Sequence, residues 1–249
     1  MSIKLFDKLF FMGPMSLGDS IVANGIVNYY ADRCHELHLP INHSFKESLH
    51  YLYSESSNIK CVEFPPNPST YSLEDEYCNK YKLSRVLRPP VYSQPDNADI
   101  RLPYLWNHQL YSLLELPYEL RYSNFRLPKE TEKSKELASS FEEPFALVHR
   151  GTFDNPNGLN FYVSSDYKII DLTAPLSANI FDYVGLIRKA EDIHCVSSAF
   201  LWLVDSIVSK QDNKNLYYHD VRKTAIMHVS NPWNDFKWNV VYYHGKDKQ

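Results

Sequence analysis

The sequence predicts an α/β protein made of two successive halves, and three observations carry that reading. Short apolar runs alternate with segments whose apolar residues recur at helical spacing, a pattern that yields parallel sheets covered by helices. The first such run, Leu9-Phe10-Phe11-Met12, leads through a glycine-rich turn into a helix, which is how a βαβ unit begins. Between Pro117 and Glu143 the composition shifts to Pro, Glu, Lys and Ser, as befits a crossing between two halves.

The elements follow in order. Residues 9–12 form a strand and 20–31 a helix, with Val22, Ile26, Tyr29 and Tyr30 at helical spacing. Gly25 within that helix either lets it lie close to the sheet or is a plain packing glycine. Residues 36–39 form a short strand, 45–53 a helix through Phe45, Leu49 and Leu52, and 61–64 a strand stopped by Pro65-Pro66. The stretch 67–99, rich in Pro, Ser, Tyr and Asn, reads as irregular, and loops of that length serve binding or move. Helical periodicity resumes over 104–116, and 129–140 makes one charged helix, with the boundary between halves near Arg126. The second half offers strands at 145–149, 168–172, 192–196, 216–219 and 240–243, short and apolar enough for a buried parallel sheet. Helices fall at 179–190, where Ile180, Tyr183, Val184 and Ile187 share a face, and at 199–208, where Phe200, Leu203, Val204 and Ile207 do.

Composition narrows the function. With 249 residues, 44% of them hydrophobic, the chain can bury a real core. A formal charge of -4 argues against coating nucleic acid by charge alone. Cys34, Cys61, Cys78 and Cys195 form no CxxC pair, which points to reduced thiols and a cytoplasmic protein without structural zinc. The N-terminus lacks a signal sequence, and no stretch reaches the ~20 apolar residues that span a bilayer. The ten histidines make no metal-ligand pattern. Neither G-x-S-x-G nor G-x-G-x-x-G occurs, so a hydrolase nucleophile elbow and a dinucleotide fold are both disfavoured.

The residues that can carry chemistry sit where strands end. Gly13-Pro14-Met15-Ser16-Leu17-Gly18-Asp19-Ser20 has the spacing of a phosphate-binding P-loop but places Asp where the lysine belongs. A lysine there neutralises outer phosphates and a carboxylate repels them, which argues against nucleoside triphosphate hydrolysis. What remains is a turn at the strand edge where open α/β sheets bind ligands, with Asp19 suited to accept a proton. Ser197-Ser198 open a helix, so their hydroxyls and the first helical N–H groups make either an anion site or an ordinary N-cap. His149-Arg150-Gly151 follows the first strand of the second half. Arg150 either pairs with a diphosphate through its planar fork or is a surface arginine, and Gly151 either admits a ligand to the backbone or turns the chain. His219 ends a strand on the same side, touching a leaving group or sugar or else satisfied within the fold, whereas His194 reads as structural. The polar loop 152–161, with Asp154, Asn155, Asn157 and Asn160, either meets a sugar or faces solvent.

The order strand, short helix 179–190, strand 192–196, Ser-Ser, helix resembles the donor half of GT-B glycosyltransferases. The run from Phe11 to Ser20 resembles the acceptor-side loop of their heptosyltransferase-like branch, in which a Gly-Asp pair opens the first helix. The resemblance implies two Rossmann-like domains facing a central cleft, an acceptor-side domain over 1–126 and a nucleotide-sugar donor domain over 127–249, in a small viral or phage-type member. It implies that Ile180, Phe181, Asp182 and Tyr183 lie near the nucleoside. Val196, Ser197, Ser198, Ala199 and Phe200 would cradle the donor's diphosphate, Gly13, Ser16 and Gly18 would shape the acceptor loop, and Asp19 would be the catalytic base. His149, Arg150, Gly151 and His219 join the donor-binding set on their own chemistry.

That chemistry agrees with sugar transfer. An inverting reaction needs a base for the acceptor hydroxyl and positive or dipolar groups for the departing nucleoside diphosphate. It needs no metal and no cofactor beyond the nucleotide-sugar co-substrate. The acceptor is a glycan, a lipid-linked saccharide or a hydroxylated DNA base, since phage enzymes that glycosylate DNA share the architecture. For DNA, Lys80, Lys82, Arg85 and Arg88 interleaved with Tyr77, Tyr81 and Tyr92 offer a basic, aromatic stripe for a flipped base, or else a solvated charged face. Two other readings stand beside the enzyme: a non-catalytic GT-B-like binding or scaffold protein, and a sugar-nucleotide epimerase, against which the missing dinucleotide fingerprint counts.

Overall fold

The computed structural model describes residues 5–11, 16–64, 70–86, 110–112, 114–152, 155–174, 176–208, 212–221 and 238–243. They fall into two units, one running up to Lys129 and the other from Glu130.

In the first unit, β1 (Phe6–Phe11), β2 (Cys34–Asn42), β3 (Ile59–Phe64) and β4 (Ser84–Val86) form an all-parallel sheet in the order β3-β2-β1-β4. The chain steps outward from β1 to β3 and returns to the other side of β1, so the strand order reverses there. The crossover helix α1 (Leu17–Ala31) begins a turn earlier than the apolar spacing suggests, because Ser16 caps it, accepting from the Asp19 N–H at 3.2 Å. Gly18 and Asp19 therefore belong to the helix. Its inner residues are buried all round, Asn24 and Asn28 included. Those amides stay inside because they bond: Asn28 Nδ2 donates to Asn24 Oδ1 and to Asn124 O, Asn124 Nδ2 donates to Gly25 O, and the Arg126 N–H donates to Asn24 Oδ1. The short helix α4 (Leu120–Ser123) lies against this face, so Gly25 faces a helix rather than the sheet. A Cβ at position 25 would stand 2.2 Å from Leu120 O.

Helix α2 (Lys46–Leu52) follows a 3-10 helix at His43–Phe45. The stretch expected to be irregular contains helix α3 (Thr70–Tyr81) as well as β4. Among its described side chains α3 turns Glu74, Tyr77 and Cys78 inward, Tyr77 and Cys78 packing on Phe10, Phe64 and Leu83, a seam that composition hides because one of its members is charged. Of the helix expected over 104–116, residues 110–112 are helical and most of the rest lie outside the described residues.

The second unit is a five-stranded parallel sheet, β5 (Phe145–His149), β6 (Lys168–Asp171), β7 (Asp192–Cys195), β8 (Asn215–Asp220) and β9 (Trp238–Tyr242), in the order β6-β5-β7-β8-β9. Here the order reverses at β5. Helix α5 (Glu132–Ser139) precedes the sheet and is capped by Thr131. The element expected over 179–190 is a 3-10 helix, Ile180–Tyr183, running into α6 (Val184–Lys189), and α7 (Ala199–Ile207) follows β7. The crossover from β5 to β6 carries no helix among its described residues. Residues 155–167 instead cross the sheet as an irregular strap, Phe161 and Val163 packing on Val148 and Val196. Among the described residues no helix is long and apolar enough to cross a membrane, and the four cysteines form no disulfide.

The Gly25 contact is with backbone, which has no rotamer to yield. Gly25→Ala should cost about 1–3 kcal/mol of stability, read as a lower urea midpoint at unchanged denaturant slope.

Candidate functional site

In the first unit the reversal at β1 puts the start of α1 at the ligand-binding edge of the sheet. Asp19 stands in the first turn, half-buried. The Ser16 hydroxyl donates to Asp19 Oδ2 at 2.5 Å while accepting from the Asp19 N–H, so Ser16 both caps the helix and holds the carboxylate. Burial pushes the carboxyl up to about 6, against the Ser16 hydrogen bond, which pulls it down. A carboxylate with that value is a base poised near neutral pH. Gly13 lies outside the described residues, and Gly18 is the helical residue before Asp19.

In the second unit, β5 and β7 are neighbours whose ends pair His149 with Cys195, so the two following loops meet at the reversal. The His149 ring stacks on Phe200 at 4.5 Å and an interplanar angle of 5°, and Phe200 in turn meets Tyr183 edge-on at 6.2 Å. His149 Nδ1 is closed off from solvent with no hydrogen-bond partner among the described residues. Burial pulls the imidazole down to about 4, although the charge of Asp171 works the other way. Beside it α7 begins. Ser198 occupies the N-cap position in extended conformation but makes no capping hydrogen bond, its hydroxyl donating back to Val196 O at 3.3 Å. The half-buried Ser197 hydroxyl engages no described residue. The first-turn amides of α7 thus have no side-chain cap from Ser198 and can receive an anion.

Arg150 is held rather than loose. Its Nε donates to Asp171 Oδ2 at 2.6 Å, its Nη1 donates to Phe161 O at 2.5 Å, and its guanidinium lies 4.2 Å from the Phe161 ring centroid. Burial pushes the Asp171 carboxyl up, but hydrogen bonds from Arg150 and Thr173 outweigh it and leave it below its ordinary value. The backbone turn that lets the strap return to Arg150 runs through Gly158 at φ +87, where a Cβ would also meet Arg150 Cβ at 3.0 Å. Gly151 makes no such demand, since a Cβ there would find ordinary contacts at 3.7 Å.

His219 does not face the edge. It is buried, with its two nitrogens engaged by His194 and by the Tyr243 hydroxyl and its ring stacked on Phe161 at 4.0 Å. Phe161, Asp171 and Tyr243 are thus parts of the site that sequence reading missed, because an aromatic in a loop and a tyrosine after a strand carry no motif. Phe181, Asp182 and Tyr183 are also turned into the fold. Asp182 accepts from Thr131 Oγ1 at 2.6 Å and from the Ser177 hydroxyl, and the Tyr183 hydroxyl bonds to the backbone of Ser177. Tyr77 is half-buried and packs against the core of the first unit, with His38 bonded to its hydroxyl at 2.8 Å. Arg88, Tyr92 and Asp154 lie outside the described residues, and Lys80 lies 5.2 Å from the ring centroid of the exposed Tyr81. Among the described residues no group of three or more His, Cys, Asp or Glu could hold a metal ion.

Comparison with known proteins gives a consistent picture of the fold. No family model and no curated protein sequence matches the chain. Solved structures do. The chain is similar to a glycosyl transferase family 9 structure from Veillonella parvula, with a TM-score of 0.54 and 9% identity over 97% of this chain and 88% of that one. It is also similar to the iron-containing dodecameric glycosyltransferase TibC of enterotoxigenic E. coli, with a TM-score of 0.50 and 12% identity over 98% of this chain and 64% of that one. The E. coli ADP-heptose heptosyltransferase II matches at a TM-score of 0.47 and 11% identity, over 85% of this chain and 84% of that one. The mixed α/β fold with parallel sheets is thus similar to that of glycosyltransferase structures.

The buried histidines set a pH dependence. Burial pulls His194 down to about 4, against the nearby Asp192, and burial with the charges of His194 and Arg150 pulls His219 down to about 3. Unfolded histidine titrates near 6.5, so below that value the unfolded chain binds more protons and stability falls as the pH drops toward 4. Asp19 acts in the opposite sense between 3.8 and about 6. Glu36, lowered to about 2 by Lys60 and His38, adds its loss only below 4.5. The urea midpoint should be higher at pH 7 than at pH 5 and His194→Phe should shrink the difference, whereas equal midpoints in the wild type would contradict neutral burial.

Proposed function

We propose that the chain is a glycosyltransferase that moves a sugar from a nucleotide-sugar donor to an acceptor hydroxyl with inversion. The observation that carries the reading is the edge at the β5–β7 reversal, where α7 starts without a side-chain cap beside Ser197, His149 and Arg150, within a fold similar to that of a family 9 glycosyltransferase. In this reading the acceptor oxygen gives its proton to Asp19 and attacks the anomeric carbon. The bond from that carbon to the diphosphate oxygen breaks, and the nucleoside diphosphate leaves with the electron pair. The α7 amides, the Ser197 hydroxyl and Arg150 meet the charge that grows on it. The step assigns no role to a metal or further cofactor. In this reading the acceptor hydroxyl belongs to a glycan or to a hydroxylated DNA base.

One observation favours the alternative of a non-catalytic binding protein with this fold. The Ser16–Asp19 pair also caps α1, a task that needs no turnover.

A panel of nucleotide-sugars, scored by thermal shift and by release of free nucleoside diphosphate, separates the two. One donor should bind and turn over, and Asp19→Asn should lower turnover about 10²–10⁴-fold while donor binding persists. The wild-type rate should rise with pH through about 6, as Asp19 loses its proton. Turnover unaffected by Asp19→Asn would remove the base from the mechanism, and binding without turnover would favour the binding protein.

A further inference from the structure

Beneath the strap runs a hydrogen-bonded chain that the proposed reaction does not use. His194 Nδ1 lies 2.9 Å from His219 Nε2, His219 Nδ1 lies 2.7 Å from the Tyr243 hydroxyl, and that hydroxyl donates to Tyr162 O at 3.3 Å. Since the hydroxyl proton goes to Tyr162 O, Tyr243 accepts from His219 Nδ1–H. His219 Nε2 is then an acceptor and His194 Nδ1–H its donor. The chain has one direction and needs no charge.

What it supports is the strap. The Phe161 ring lies 4.0 Å from the His219 ring at an interplanar angle of 24°, and the same ring carries the Arg150 guanidinium at 4.2 Å. Two successive strap carbonyls are taken, Phe161 O by Arg150 Nη1 and Tyr162 O by Tyr243. Further along, Ser165 donates to Asp192 Oδ2 at 2.6 Å. On the Arg150 side, Asp171 takes Nε and Phe161 O takes Nη1, which fixes the plane of the guanidinium and leaves Nη2 with no partner among the described residues. An arginine on a flexible stem loses rotamer freedom when it grips a ligand, and one already held loses less.

We infer that His219 is a positioning residue for donor binding: through Phe161 and Tyr243 it fixes the strap, and the strap fixes Arg150 with Nη2 turned over to the donor's phosphate oxygens. The inference rests on the donor reading given above. It separates phosphate affinity from nucleoside affinity, because His219 acts through Arg150, the group that would meet the phosphates.

The test is calorimetric titration of the full chain with UDP, GDP, ADP and CDP, and with the nucleoside of whichever diphosphate binds. His219→Ala should weaken that diphosphate about tenfold, the worth of roughly one charge-assisted hydrogen bond, and leave the nucleoside unchanged. Arg150→Ala should lose as much, and the double variant no more than Arg150→Ala alone, because both act on one interaction. Tyr243→Phe, which keeps the ring and removes one hydroxyl, should cost about threefold and decides the matter if His219→Ala does not fold. Additive losses, equal losses for nucleoside and diphosphate, or no change in Tyr243→Phe would overturn the inference and leave the donor reading standing. If the wild type binds none of the four diphosphates, the donor reading falls and the inference with it.

Discussion

Strand β5 has β6 on one side and β7 on the other, and that reversal organises the second unit. Right-handed crossovers leaving a central strand in opposite directions must run over opposite faces of the sheet. The loops after β5 and β7 begin side by side at the C-terminal edge, the place where open α/β sheets bind ligands. His149 and Phe200 stack there, and Ser197, Ser198 and Arg150 take their places from the same two loops. The first unit repeats the geometry, with β1 between β2 and β4 and α1 starting at its edge. In both units the candidate residues stand at the end of the strand where the order reverses.

The strap across the second sheet has a physical cost that explains its polar surroundings. A crossover helix satisfies its own backbone, but an irregular segment does not, and each buried carbonyl needs a donor. Arg150 supplies the donor for the part-buried Phe161 O, and Tyr243 ties down the exposed Tyr162 O next to it. Tyr243 is in turn oriented by His219, and His219 by His194. That is why a sheet face that packs Val148, Phe161 and Val163 also holds two imidazoles. Burial holds both rings neutral, so they orient the strap without adding charge beside Arg150, whose own charge is balanced by Asp171.

Much of this was legible in the sequence, and the limits have physical causes. Strands with continuous apolar runs, such as Phe145 to Val148, announced themselves, and so did α7 through its apolar stripe. The placement of Asp19 and Ser197-Ser198 at helix starts was legible because each follows an apolar run. Helix α3 was hidden because the side chains it turns inward include the charged Glu74 beside Tyr77 and Cys78, in a polar segment. The start of α1 was misplaced because the cap at Ser16 is a side-chain decision that periodicity does not report. His219 looked like a ligand contact from its place at the end of β8, but which way a side chain turns at a strand end depends on what packs above it. Phe161 supplies that answer, and its register over the sheet is set by Gly158 and Arg150, neither of which marks the strap in the sequence. Asp182 likewise looked available, yet Thr131 claims it from another element.

The same coupling of packing to chemistry acts on Asp19. α1 is buried nearly all round because α4 and the asparagine ladder close its outer face, and Gly25 is what lets that face close. Burial of the helix start raises the carboxyl, while the Ser16 hydroxyl stabilises the ionised form and lowers it. Neither influence alone gives a useful base. A carboxylate on an exposed helix start would sit near its ordinary value of 3.8 and hold a proton weakly. One buried without Ser16 would stay protonated further into the neutral range and have nothing to accept with. The value of about 6 is the balance of the two, so the contacts that seal α1 into its unit also set the basicity of the group at its tip.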